Sequence, residues 1–377
     1  MRRLAAACLL LVPVLAAASP DVQLPAVTRT VLPNGMRLVV AENHELPLLS
    51  ITVFVGAGTA QDPPERLGVA QLTADALLRG AGSWDAPQLA RAIEDLGATM
   101  DAVAGYDATI LSADFLADDL DKGIDILRAV LRDPRLEKAE VRRARDELLA
   151  QLSADLEDPS TVANQCFASL LYGDHPYGRP LQGLPSTLPE ISAKDVRRFY
   201  ERWYRPNNTI LTLVGDVTAE RAIEQLRRAF GDWPAAADAV PVRSAPPQPL
   251  TARRVLLIDK PDASQSQIRF GGIALRRSDP ELLPAQVVNT ILGGGFSSIL
   301  IDELRVKRSL TYGASSGYSA RLTGGDFRVM TFSKTETTMQ ALDLALAVTD
   351  RFRTATPAPT ALAKAKAFVS GSFARQV

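Results

Sequence analysis

The sequence predicts an α+β protein of two homologous domains, each a mainly antiparallel sheet with helices packed on one face. A stretch rich in Pro and Ala and without apolar periodicity, PAAADAVPVRSAPPQPLTA at 234–252, reads as a linker between a domain at 26–233 and another at 253–377. The two sides follow the same order of elements, which points to an internal repeat. A chain of 377 residues is too long for one ordinary compact domain, and 46% hydrophobic residues are enough to fill two cores.

The first 19 residues, MRRLAAACLLLVPVLAAAS, have a basic start, a short apolar run and small residues at Ala16 and Ala18. This is the pattern of a secretory signal peptide, cleaved near Ala18 or Ser19, and it predicts export. Cleavage would remove Cys8 and leave Cys166 as the single cysteine, so no internal disulfide can form. An exported chain without disulfides fits a bacterial periplasm. No later segment reads as long and apolar enough to cross a membrane.

In the first domain, TRTVLPNGMRLVVAEN predicts two strands about a Pro-Asn-Gly turn, and PLLSITVFVGAG a third. In the second, ARRVLLIDKP and SQSQIRFGGIAL are the matching strands. QDPPERLGVAQLTADALLRGAG and SDPELLPAQVVNTILGGG each predict a Pro-containing loop, a helix and a glycine stop. A helix pair follows on both sides, in 118–152 and 337–371. The first domain then continues through further helices to a strand, NTILTLVGD, whereas the second reaches Val377 with no counterpart. On this pattern the second domain reads as truncated, because a missing strand would leave an unpaired edge in the sheet.

Formal net charge is −1, and −3 once Arg2 and Arg3 leave with the leader. Basic clusters such as EVRRARDE are interleaved with acids, so no nucleic-acid-binding surface is indicated. Metal chemistry is equally poorly supplied. The only histidines, His44 and His175, lie in turn-like sequence far apart, so two His and a carboxylate cannot gather on one helix. Gln71 and Asp75, four apart, share a face of the helix predicted over GVAQLTADALLRG, with Ala74 beside them. LGGGFSS, at 292–298, lacks the Lys-Ser/Thr ending of a phosphate loop.

Several separated motifs, in order, resemble the insulinase/pitrilysin family of zinc peptidases. They are GVAQLTADALLRGAG with its preceding VFVGAGTAQDPPERL, then YGDHPYGRPLQG, FYERWYRPNNTILTLVGDV and LGGGFSSILIDELRVKRSLTYGASSGYSA. The resemblance implies a LuxS/mitochondrial-processing-peptidase-like metallohydrolase fold. It also implies an inverted H-x-x-E-H helix in active members, with two His on zinc and the Glu activating water. That motif places Gln71 at the first ligand, Ala74 at the general base and Asp75 at the second ligand, and the distal Glu ligand falls at Gln151. All four positions are changed, and Ala74 cannot take a proton, so no zinc is expected in this chain.

The second half keeps what the family places across the cleft from zinc, an Arg and a Tyr seven residues on, here Arg305 and Tyr312. A guanidinium and a phenol are donors suited to an oxyanion or a peptide carbonyl. Some bacterial members pair a zinc-bearing chain with a zinc-free one. The resemblance therefore implies the zinc-free subunit of a periplasmic peptidase heterodimer, with peptide substrates and a homologous H-x-x-E-H partner that carries the zinc. The alternative is an inactive member acting as scaffold or peptide-binding protein.

Overall fold

The computed structural model describes residues 25–237 and 244–373. The expected leader, the centre of the expected linker and the end at Val377 lie outside the described residues.

The first domain opens with β1 (Val27–Val31) and β2 (Arg37–Glu42), an antiparallel pair about the expected Pro-Asn-Gly turn. Gly35 supplies the positive φ of +86° that the turn needs, and Asn34 Nδ2 ties it to the carbonyl of Phe230, 2.7 Å away. Strand β3 (Leu48–Val55) follows, then helices α1 (Val69–Leu77) and α2 (Ala86–Asp95). Strands β4 (Thr99–Ala104) and β5 (Thr109–Leu116) lead to α3 (Leu120–Arg132), α4 (Lys138–Glu157) and α5 (Pro159–Tyr172). The domain closes with α6 (Ala193–Trp203), β6 (Thr209–Gly215) and α7 (Ala219–Phe230). The six strands run in the order β1-β2-β6-β3-β5-β4, antiparallel throughout except that β2 and β6 are parallel.

Strict alternation assigns the two faces of this sheet. Leu49, Ile51, Val53 and Val55 of β3 and Leu111, Ala113 and Phe115 of β5 are buried, and they meet apolar residues of α1, α3, α4 and α7 in one core. On the other face Leu48, Ile110 and Leu116 stay exposed. Trp203 and Trp233 are buried and Trp84 packs against the same core.

The second domain has β7 (Gln265–Ala274), α8 (Leu282–Asn289), a π-helical turn at Thr290–Gly294 and a short α9 (Ile299–Ile301). A second π turn at Asp302–Val306 leads to β8 (Ala314–Ala320), β9 (Gly325–Lys334), α10 (Thr338–Thr354) and α11 (Pro359–Phe373). Its sheet, β7-β9-β8, repeats β3-β5-β4 of the first domain, and α10 and α11 repeat α3 and α4.

Two expectations are corrected. ARRVLLIDKP is not a strand: it has no ladder partner, and Val255 and Leu257 are 84% and 90% exposed. Its counterpart β2 is held between β1 and β6, and among the described residues the second domain has no equivalent of either. The expected absence of a membrane-length segment is corrected by length and composition alone, since Leu282–Val306 spans 25 residues and holds an 18-residue stretch of mean hydropathy 1.2, although residues 295–298 break the helix. The second core explains this apolarity, for Leu292, Leu300 and Leu304 pack there with Ala314, Val329 and Val348.

The domains meet where α5 lies against β7. Arg269 of β7 donates to Asn164 Oδ1 and Ser160 Oγ of α5, each at 2.7 Å. Asp326, fully buried, accepts from the Tyr172 hydroxyl at 2.9 Å and from Arg328 Nε at 2.8 Å. The Arg321 guanidinium lies 4.5–5.3 Å from the rings of Tyr106, Tyr172 and Tyr177. A cation against three aromatic rings and a buried carboxylate between two arginines make this seam specific in geometry.

Candidate functional site

Helix α1 begins where the chain must cross another loop. At Gly68, φ is +101°, and a side chain would collide with the Gln182 carbonyl and Leu188 at 2.7 Å. The carboxylate of Asp62 accepts from the N–H groups of Gly68 (2.7 Å) and Ala70 (3.0 Å), satisfying two donors at the helix start. Burial pushes its pKa up to about 7, against the pull of those N–H groups and of Arg179.

Seven of the nine residues of α1 are buried, Ala74 completely, which leaves Gln71 and Asp75 as the helix's partly exposed positions. Their expected shared face is observed as a hydrogen bond: Gln71 Nε2 donates to Asp75 Oδ1 at 2.8 Å. Gln71 Oε1 accepts from the N–H of Ala104 in β4 at 3.0 Å, so the amide links the helix to the sheet. Gln151 on α4 donates to Asp155 Oδ1 at 2.8 Å, and Asp155 also accepts from Gln182. Asp75 and Gln151 line one open cavity of about 610 Å³, together with Arg79, Asp101 and Glu147. Burial raises the Asp75 pKa to about 6; Gln71 and Arg79 oppose the shift, while Asp101 and Glu147 add to it.

This donor set does not fit zinc. It offers one carboxylate and two amides already bonded within the chain, where zinc takes imidazole, thiolate or carboxylate ligands in a tetrahedron. His44 bonds Asp216 at 2.6 Å and His175 accepts from the N–H of Tyr177 at 3.1 Å, both on other loops. Among the described residues no cluster of three His, Cys, Asp or Glu could hold a metal. Cys166 is a free thiol.

In the second domain the π turn at Asp302–Val306 and a left-handed Ser309 (φ +54°) reverse the chain, and Leu310 N–H bonds the Leu304 carbonyl at 2.9 Å. The reversal carries Tyr312 back beside Arg305, whose guanidinium carbon lies 4.7 Å from the Tyr312 ring centroid. Phe296, on the glycine-rich turn before α9, lies 5.3 Å from the same guanidinium. Tyr312 is 77% and Phe296 81% exposed. Among the described residues none of the second domain lines the Asp75 cavity, so the two motif regions do not share that cavity.

Residues 37–183 match the insulinase peptidase family M16, and residues 190–369 match the M16 peptidase inactive domain. The chain belongs to the insulinase (M16) family. It is 29% identical over 298 residues to an uncharacterized zinc protease of Mycobacterium leprae, covering 78% of this chain and 65% of that relative. The chain therefore spans just under two thirds of that relative's length. A crystal structure of a peptidase M16 inactive domain from Pseudomonas fluorescens superposes with a TM-score of 0.83 at 26% identity, over 92% of this chain and 84% of that one. The periplasmic protease PqqL of Escherichia coli shares the fold, with a TM-score of 0.74 at 18% identity, over 90% of this chain and 39% of that one.

Within this M16 frame the sequence located Gln71, Asp75 and Gln151 in one region and Arg305 with Tyr312 in another. It passed over Asp62, whose part in starting α1 needs an eight-residue return that no short motif records. It also passed over the Arg79–Glu147 ion pair at the cavity and over Phe296. The only signal for Phe296 was an apolar ring set among glycines and serines.

Proposed function

We propose that this M16 chain is the zinc-free subunit of a periplasmic peptidase heterodimer. It supplies Arg305 and Tyr312 to peptide bound by a homologous partner whose H-x-x-E-H motif holds the zinc. The single observation that carries this reading is the contrast in one chain: Ala74 stands where a general base belongs, while Arg305 and Tyr312 are held together at the surface. In such a complex both side chains donate hydrogen bonds to the bound peptide, the Arg305 guanidinium orienting it and the Tyr312 phenol facing the carbonyl oxygen on which negative charge develops. The partner's zinc would supply the activated water.

The test is to purify the tagged mature protein from its host's periplasm and identify what accompanies it. Recovery of a stoichiometric H-x-x-E-H protein with chelator-sensitive cleavage of a mixed peptide library is the expected result. Recovery of the chain alone, without cleavage, replaces this reading with a peptide-binding or scaffold role.

A further inference from the structure

We infer that Phe296, Arg305 and Tyr312 form one recognition surface for a peptide carboxylate that sits beside an apolar side chain. The inference rests on the peptide-handling role proposed above and names the peptides it favours.

Arg305 is placed unlike a surface arginine in an ordinary ion pair. The carboxylates of its own turn are engaged elsewhere, because Lys307 Nζ bonds both Asp302 and Glu303 at 2.8 Å. Among the described residues the Arg305 guanidinium has no hydrogen-bond or ion-pair partner. Its contacts are the two rings, 4.7 and 5.3 Å away. Ring faces stabilise a cation and fix its plane, but they accept none of its five N–H groups. A planar, bidentate acceptor is the complement of that fork, and a carboxylate bonds it more strongly than a neutral carbonyl does.

The rings supply the second half of the recognition. Phe296 and Tyr312 leave most of their surface in water, at 81% and 77% exposure. Covering an aromatic face removes apolar surface from water and strengthens binding in proportion to the area covered. A ligand that presents a carboxylate to Arg305 and an apolar side chain to the rings uses both features at once. The carboxylate can belong to a peptide C-terminus or to an acidic side chain.

Calorimetric titration of the purified mature chain with four acetylated tetrapeptides tests this. They are Gly-Gly-Gly-Phe as the free acid, the same sequence as the amide, Gly-Gly-Glu-Phe as the amide, and Gly-Gly-Gly-Gly as the free acid. The Phe acid should bind at least about tenfold more tightly than its amide, in the range of a charge-assisted hydrogen bond. It should also bind more tightly than the all-glycine acid. Phe296→Ala and Arg305→Gln should each remove the preference, and Phe296→Trp should keep it. A Glu-Phe amide that matches the Phe acid assigns a side-chain carboxylate, and a weaker one assigns the C-terminal carboxylate. Equal binding of acid and amide, an unchanged preference in Phe296→Ala, or no binding of any peptide overturns the inference. Copurification of an H-x-x-E-H partner reads the proposed function separately, so either can fail alone.

Discussion

The two motif regions of this chain differ in what their polar groups are bonded to. Around α1, Gln71 is bonded at both ends of its amide, Asp75 takes one of those bonds, and Gln151 is paired with Asp155. Around the second π turn, Arg305 has rings beside it and no polar partner among the described residues, and Tyr312 stands out from the surface. Breaking an internal hydrogen bond to bind a ligand returns much of what the new bond gains. The contrast teaches that one region is built into the fold, while the other is available to something outside it.

If the first region is structural, changes there should appear in stability, and changes at Arg305 and Tyr312 should not. The largest effect is expected at the seam that holds the two regions in one molecule. Asp326→Ala would leave Arg321 and Arg328 facing each other without their buried carboxylate, at a cost of about 3–5 kcal/mol in denaturant unfolding. Ala74→Glu, which restores the family's base at a fully buried site, should cost about 2–4 kcal/mol and produce no zinc binding. A stable, zinc-binding variant would reverse the reading of α1.

A smaller effect, of opposite sign, is expected from Asp75→Asn. The folded chain holds the Asp75 proton to about pH 6 against an ordinary 3.8, so it binds more protons than the unfolded chain between those values. Stability contributed by this group is therefore greatest below about pH 4 and falls as pH rises through 6. Asparagine keeps the acceptor for Gln71 and removes the titration. It should be more stable than the parent by about 1 kcal/mol at pH 8, allowing for solvent screening, and indistinguishable near pH 4. Thermal melts across that range would show it. The smallest effect on stability is expected at the other region, where Arg305→Gln and Tyr312→Phe should fall within about 0.5 kcal/mol of the parent.

Local periodicity made most of the fold legible. The alternation in β3, the Pro-Asn-Gly turn and the helix pairs were all read from short windows. ARRVLLIDKP has the same apolar signature as β2, yet a strand exists only where a neighbour satisfies its backbone, and no window on that segment reveals the neighbour. The expectation of no membrane-length segment overlooked 282–306 for a related reason: its apolar residues look alike in a short window whether they meet lipid or the core around Leu304. At the candidate site, motif spacing brought Gln71 next to Asp75 and Arg305 next to Tyr312. It could not show that Gln71 is bonded to β4, that the nearby acids belong to Lys307, or that Phe296 returns to Arg305. Those depend on turns and on positions far apart in the chain.

The most direct test of the central claim compares Arg305→Gln with Asp75→Asn in the copurified complex, with kcat/KM for a peptide substrate as the readout. The account predicts a loss of at least about tenfold for Arg305→Gln, the size of one charge-assisted contact. It predicts parental activity for Asp75→Asn. An unaffected Arg305→Gln complex beside an impaired Asp75→Asn complex would contradict it, placing the working chemistry in the α1 cavity.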